Sequence, residues 1–525
     1  MMKTFRQKAH MLCLTCLILF ILSGTVVFAV ESLPVGTNPG PVSEQYSPPP
    51  GLMPVVILQG SPYEMGYQYG LQVPEYLAIV RDSVWAGALS EKSYDEILDE
   101  CRVDKEYIAR ELNDFQFIEF FKGISDAMND QGYAFTPVDP IVMLYYGGHN
   151  GPAPEEHCTA FAAYGNATNN TLIVGDNFDY YSVSSNSYQV LLFLYPDNGY
   201  SCIIPSGAGR TGNNVVVNEK GLVYITTAGP AQGAGDTGPG ISAFLELPSV
   251  GMSAASVPEG EEILLNITRS FSLSRLLADT SGNAEVIEST REKFAIRNGS
   301  EDFIIAANHY LNPAMKESQK IWDPLRYYPS SYYRYITAEK QIRDGYGKLD
   351  YENFRHILSS SDWWDGQAWH RDDRWSSNTI NRFRPTGATL YSLITVPGDR
   401  VVSICQGNPD MPGWGTRAPG QTGTYVSFTL GSSPEYMVYK LRSDADAHMW
   451  ETIQLRGDAP DTWTNEQWNS IENDYWEGNW WHNKGTLETD PRNRTFAFGK
   501  AATAYSSAIA HTRLVHKYCE SETTS

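Results

Sequence analysis

Cys158 follows Glu155, Glu156 and His157 and opens the run CTAFAAYG, whose apolar and aromatic texture marks a strand. The chain turns through NATNNT and returns as LIVGDNFDY, a second strand. That return brings Asp176, Asn177 and Asp179 back toward the start of the first strand. A thiol, two carboxylates and an amide at one strand end suit a site better than a core. The thiolate is the nucleophile and needs a base near neutral pH. His157 does not qualify, because adjacent residues on an extended strand point to opposite faces. Cutting the His157–Cys158 bond would supply a different base, the new α-amino group of Cys158. Such an amine has a pKa of about 7.7–8, close to what a base at neutral pH requires. The bland alternative is a small buried apolar residue, the commonest state of a cysteine.

The elements that must position these residues are a helical segment and then many short strands. Ser61, Pro62 and Glu64 form a helix start, with Ser at the cap, Pro first and Glu third. Apolar residues recur at three and four through residues 60–130, so this stretch reads as mainly helical. After Cys158 come SYQVLLFLYP, YSCIIPSG and a hairpin, NNVVVNEKGLVYITTAG, turned at Asn218 to Gly221. LNITRSFSLSRLLADT reads as a helix, followed by a strand pair in GNAEVIES and EKFAIRN, then FIIAANHY. A further hairpin, ATLYSLITVPGDRVVSICQG, turns at Pro397-Gly398-Asp399. Residues 431–525 read as an appended region ending in a helix from about Phe496 to Tyr518. Helices first and strands at hairpin spacing afterwards give an α+β class.

With 61 acidic against 39 basic residues and a formal charge of −22, the chain lacks the concentrated basic surface that nucleic acid requires. Lys3, Arg6 and Lys8 precede an apolar run to Val30, and Val27-Phe28-Ala29 offers a small-residue cleavage site. Residues 1–29 are therefore a secretory signal peptide or, uncut, a membrane anchor. Residues 30–53 are a Pro/Gly/Ser-rich linker. An exported chain with Cys101, Cys158, Cys202, Cys405 and Cys519 outside the signal has an odd count, which leaves at least one thiol unpaired. If that thiol is Cys158, the other four have three possible pairings or are core residues. Beyond the signal no C-x-x-C or His-x-x-x-His spacing occurs, so no metal is expected. Sequons stand at Asn166, Asn169, Asn266, Asn298 and Asn493. Gly207-x-Gly209-x-x-Gly212 fits a dinucleotide fingerprint only superficially, since a strand and not a helix follows it.

GSPYEMGYQYG, CTAF, GDNFDY, NEKGL, AANHY and ATLYSLI together resemble the isopenicillin-N acyltransferase-like family of N-terminal-nucleophile (Ntn) cysteine hydrolases, over residues 60 to about 407. The resemblance implies a four-layer αββα sandwich and a precursor that cuts itself between His157 and Cys158. Residues 54–157 would then be the helical N-terminal chain, 158–430 the catalytic core and 431–525 a C-terminal extension. It assigns Cys158 as nucleophile and, through its amine, base. It assigns Asp179 to hold that amine and Asn308 to donate to the oxyanion. Asp176, Asn177 and His309 are secondary candidates. Wider relatives carry Arg where this chain has Asp176, and a second oxyanion donor falls in VYITTAG, as a backbone N–H or a Thr.

The expected function is that of an exported, self-cleaving amidohydrolase or acyltransferase acting on a small acyl amide or ester through a thioester. No cofactor, nucleic acid or membrane contact beyond an N-terminal anchor is expected. The alternatives are a dipeptidase-like or phospholipase-like member of the same clan, or a non-catalytic surface binding protein that keeps the fold.

Overall fold

The strand sequences QVLLFLYP and CIIPSG lack polar alternation because both faces of their sheet are covered. The computed structural model describes residues 53–147, 158–180, 188–230, 238–319, 323, 325, 329–373, 375–384, 387–406, 423–458 and 465–523. The first sheet runs in the order β1 (Val55–Gly60), β4 (Gln189–Pro196), β5 (Cys202–Gly207), β6 (Val215–Asn218), β7 (Val223–Ala228), β8 (Leu273–Ala278), β9 (Ala284–Ser289), β10 (Phe294–Asn298). Only β1 and β4 pair in parallel among these described strands. The second sheet runs β11 (Phe303–Ala306), β2 (Thr159–Ala163), β3 (Ile173–Tyr180), β15 (Gly387–Val396), β16 (Val401–Gln406), β17 (Tyr425–Thr429), with the short β14 (Phe383–Arg384) on β15. A separate small hairpin joins β12 (Trp363–Trp364) to β13 (Trp369–His370).

Helices α1 (Pro62–Gln72), α2 (Pro74–Glu91), α3 (Tyr94–Glu111), α4 (Phe117–Asp130), α5 (Asp139–Tyr146), α6 (Ala243–Ser253) and α7 (Val257–Asn266) cover the first sheet. They share one apolar cluster with it, including Tyr69, Phe121, Leu192, Ile204 and Leu247. Helices α8 (Pro329–Asp344) and α9 (Tyr351–Leu358) cover the second sheet, burying Phe161, Ile342, Phe354 and Ile394. The sheets face each other, with the rings of Phe193 and Phe428 5.5 Å apart. The result is the four-layer αββα sandwich the sequence implied. The glycines of EMGYQYG serve packing: an added Cβ at Gly66 would sit 1.9 Å from the Phe120 carbonyl oxygen, where α1 crosses α4.

Three expectations change. Ser61 caps α1 as expected, but the Glu64 carboxylate binds Arg492 at 2.8 Å and does not close a capping box. LSRLLA is strand β8 and not helix, paired on both sides by β7 and β9, with Arg275 fully buried against Glu246 at 2.7 Å. Residues 431–525 are not appended: α10 (Pro434–Asp458), α11 (Asn465–Leu487) and α12 (Pro491–Thr523) close one end of the sandwich. Thr503 of α12 accepts from the Val55 amide at 2.8 Å.

β1 is a sheet edge, and α1 completes it with side-chain amides. Gln72 accepts from Ile57 N at 3.1 Å and donates to Ile57 O at 2.7 Å, while Gln68 makes the same pair with Gln59 at 2.8 and 2.8 Å. The two glutamines supply what a neighbouring strand would supply. Gln72→Met keeps the volume but leaves a buried N–H and C=O unmet. It should cost on the order of 2–3 kcal/mol in denaturant unfolding; a loss under about 0.5 kcal/mol, the level of an ordinary surface change, would show that the pairing contributes nothing.

Candidate active site

β2 and β3 pair with Thr159 opposite Asn177 and Ala160 opposite Asp176, so Cys158 lies beside the far end of β3. The Cys158 Sγ is buried, 4.0 Å from the carbonyl oxygen of Asp179. It lines a cleft of about 600 Å³, counted with its open mouth, together with Phe178, Asn214, Ala228, Phe244 and Phe271. Of the candidates on the hairpin, Cys158 and Asp179 line this cleft, and Asp176 and Asn177 do not. His157 lies outside the described residues, as does the peptide bond expected to be cut.

Side chains three apart on a strand face opposite ways, and the two carboxyls do. Asp176 points between the sheets, accepting from Asn214 Nδ2 at 2.8 Å; Asn214 Oδ1 in turn accepts from the Tyr391 hydroxyl. Burial, with Asp179 nearby, holds the Asp176 carboxyl well above the ordinary carboxylate range. Asp176 thus fixes Asn214 in the cleft wall. Asn177 turns away from the cleft: its Nδ2 donates to the carbonyls of Leu358 and Ile380 at 2.9 and 3.0 Å, a tie that holds α9 to the sheet.

Asp179 accepts from Thr389 Oγ1 at 2.7 Å, and its Oδ2 has no hydrogen-bond partner among the described residues. Burial pushes its carboxyl up to about 7, against the pull of Arg382 and Arg334. An unfolded Asp ionises near pH 3.9, so between about pH 4 and 7 the folded state holds the proton more tightly. Stability from this group therefore falls as pH rises through that window and is flat above it. In the uncut chain, Asp179→Asn should flatten the decline in melting temperature from pH 5 to 7. An unchanged slope would mean that Asp179 does not titrate there.

Asn308 follows β11. Its backbone N–H donates to Ser331 Oγ at 2.7 Å, and its Oδ1 accepts from Arg334 Nη2 at 2.7 Å. Because arginine only donates, the amide orientation is fixed, and Nδ2 points to the end of β7, where it donates to Ala228 O at 3.0 Å. Ala228 lines the cleft beside Cys158, so Asn308 stands directly behind that wall and not on its surface. Thr227 of VYITTAG spends its hydroxyl on Ala307 O at 2.7 Å, whereas Thr226 lines the cleft. His309 is not a base. Burial with Arg334 and Arg297 lowers it to about 3, and its Nδ1 lies 2.7 Å from Ser331 Oγ.

The residue that sequence reasoning missed is Arg334 of α8. It is fully buried, and its Nη1 donates to Cys158 O and to Thr159 Oγ1, both at 2.6 Å. One guanidinium thus joins the Cys158 backbone to the Asn308 amide. The only available signal was the run Ser330, Ser331, Arg334, Thr337 at helical spacing. All four are buried, although a polar stripe ordinarily marks an exposed face.

Residues 166–411 match the family described as acyl-coenzyme A:6-aminopenicillanic acid acyl-transferase. An uncharacterised protein of Archaeoglobus fulgidus is 24% identical over 357 residues, covering 57% of this chain and 56% of that protein. The chain thus spans little more than half the length of that relative. Among solved structures, a mutant conjugated bile acid hydrolase of Clostridium perfringens is 14% identical with a TM-score of 0.35, covering 52% of this chain and 98% of that one. Penicillin V acylase of Agrobacterium tumefaciens is 15% identical with a TM-score of 0.32, covering 47% and 83%. The matched span begins just after Cys158 and contains Asp179, Asn308 and Arg334. By that match, residues 166–411, somewhat under half of this chain, are similar to the acyl-coenzyme A:6-aminopenicillanic acid acyl-transferase family.

Proposed function

We propose that this protein is an exported cysteine amidohydrolase or acyltransferase that activates itself by cutting between His157 and Cys158. The observation that carries the reading is the Arg334 fork, which ties the Cys158 carbonyl and the Asn308 amide into one rigid unit. In the cut enzyme the Cys158 amine takes the thiol proton and the thiolate attacks the substrate carbonyl. Asn308 Nδ2 donates to the oxyanion. The tetrahedral adduct collapses to a thioester, the C–N bond breaks and the leaving amine takes the proton from the Cys158 ammonium. Water, or a second amine, then attacks the thioester and restores the thiol. The unpartnered Oδ2 of Asp179 suits the ammonium as its charge-assisted acceptor. The partner is a small acyl amide or ester; neither nucleic acid nor a cofactor is required. Export, by a cleaved or anchoring N-terminal signal, is consistent with the exposure of Asn166, Asn169, Asn266, Asn298 and Asn493. No described helix is long and apolar enough to cross a membrane.

Intact mass and N-terminal sequencing of the purified protein, beside Cys158→Ala, test the reading. Two fragments, one starting Cys-Thr-Ala-Phe, with an uncut variant, are expected. A single chain in both would remove the amine base and with it this mechanism.

A further inference from the structure

The register of β15 against β3 shifts once. Thr389 stands opposite Asp179 and Tyr391 opposite Phe178, so Leu390 is an extra residue between them. Strict alternation back from Ser392, which stands opposite Asn177, would turn residue 389 to the other face of the sheet. The bulge returns it to the face of Asp179, as bulges re-aim side chains beside active sites. Leu390 itself lines a second cleft of about 950 Å³, counted with its mouth, which shares Phe178, Tyr180 and Asn213 with the one that holds Cys158.

Thr389 is fully buried, and its hydroxyl both accepts and donates. Oγ1 accepts from the Arg382 backbone N–H at 3.0 Å and donates to Asp179 Oδ1 at 2.7 Å. The Thr389 N–H in turn donates to Arg382 O at 3.1 Å, so the turn through β14 closes on itself and holds the hydroxyl in place. An ionised carboxylate only accepts, so it takes the threonine proton. That bond occupies Oδ1 and leaves Oδ2 as the oxygen without a partner among the described residues. The charged groups around Asp179 are Arg382 and Arg334, which favour its carboxylate, and Asp176 on the same strand. Their fields set its charge; the hydroxyl sets which oxygen is held.

We infer that Thr389 is a positioning residue, whose hydroxyl holds Asp179 so that Oδ2 is presented to the Cys158 amine. The inference rests on the proposed function, in which that amine is the base. It has a consequence in pH. The bond stabilises the ionised form, so its loss raises the Asp179 carboxyl still further.

Thr389→Val keeps the shape and removes the hydroxyl, whereas Thr389→Ser keeps the hydroxyl. In a pH series of kcat/KM on any amide the protein turns over, Thr389→Val should move the acid limb up by about one unit, the worth of a hydrogen bond to a charged group. Below the limb the loss is then about 10-fold, above it the rates converge, and Thr389→Ser follows the wild type. Should the valine variant not fold, Thr389→Ala takes its place. A loss of constant factor across the series would be damage to structure and not to position, and overturns the inference. So does a serine variant that behaves like valine.

The carboxyl is also followed without turnover, by carbon-13 resonance of the aspartate carboxyls in Cys158→Ala, with Asp179→Asn to assign the signal. Adding Thr389→Val should raise the titration of that signal by about one unit. A signal that does not move overturns the role of Thr389, whether or not the wild type is active. A signal that moves, in a protein that neither cuts itself nor turns over an amide, sinks the proposed function and leaves the hold of Thr389 on Asp179 standing.

Discussion

Cys158→Ala is expected to lower kcat on any amide the protein turns over by about 10⁴-fold or more, since losing the nucleophile of a comparable triad costs on the order of 10⁶-fold. The change removes one buried sulfur and leaves Asp179, Asn308 and Arg334 in place, so folding is not the cause of the loss. Cys158→Ser should lie between, because a hydroxyl is a weaker nucleophile at the pH where the neighbouring amine acts as base. Single-turnover kinetics on the purified variants, with melting temperatures alongside, measure this. Activity in Cys158→Ala above about a hundredth of wild type would be too high for loss of a nucleophile and would place the chemistry elsewhere.

Arg334→Met has the second largest expected effect, on stability and rate together. The guanidinium satisfies three buried acceptors, Cys158 O, Thr159 Oγ1 and Asn308 Oδ1, and its loss leaves all three dry. At about 1–3 kcal/mol for each unmet group, partly relieved by relaxation, the cost should be on the order of 3–5 kcal/mol. Arg334 also lowers the Asp179 carboxyl, so its removal moves that titration further up and narrows the pH range in which Asp179 is a carboxylate. Arg334→Lys discriminates between charge and geometry. An ammonium restores the charge but cannot span two acceptors as a planar fork does. The lysine variant should recover part of the stability and the pH profile, while kcat stays down by about 10²-fold or more, the loss that follows a displaced oxyanion donor. Full recovery of kcat by lysine would show that the fork does not position Asn308.

What could be seen in the sequence was local. The turn at Asn218–Gly221 and the turn at Pro397–Asp399 both fall where Gly, Pro and Asp placed them. Cys158 and Asp179 were legible because one hairpin joins them. Asp176 and Asn177, also candidates, sit on that hairpin, but one steadies the cleft wall and the other holds a helix. A strand pattern gives the register without saying what stands on either side. Arg334 was hidden because its partners, Cys158 and Asn308, lie 176 and 26 residues away. Its polar helix face looks solvated until a second sheet is laid beneath it. The same long range concealed the pairing of β1 with β4 and the seat of α12 on β1.

The pairing of β1 with β4 has a consequence for the cut molecule. β1 precedes Cys158 and β4 follows it, and their six-residue register binds the two sides in one sheet. Helices α1–α5 bury their apolar faces in the same cluster as the strands after Cys158. A backbone nick before Cys158 would therefore give an interlocked heterodimer that dilution cannot part, running as one species on a sizing column and as two bands in detergent. Residues 158–525 produced alone would carry an open β4 edge and an uncovered apolar sheet face, the combination that drives strand-to-strand aggregation.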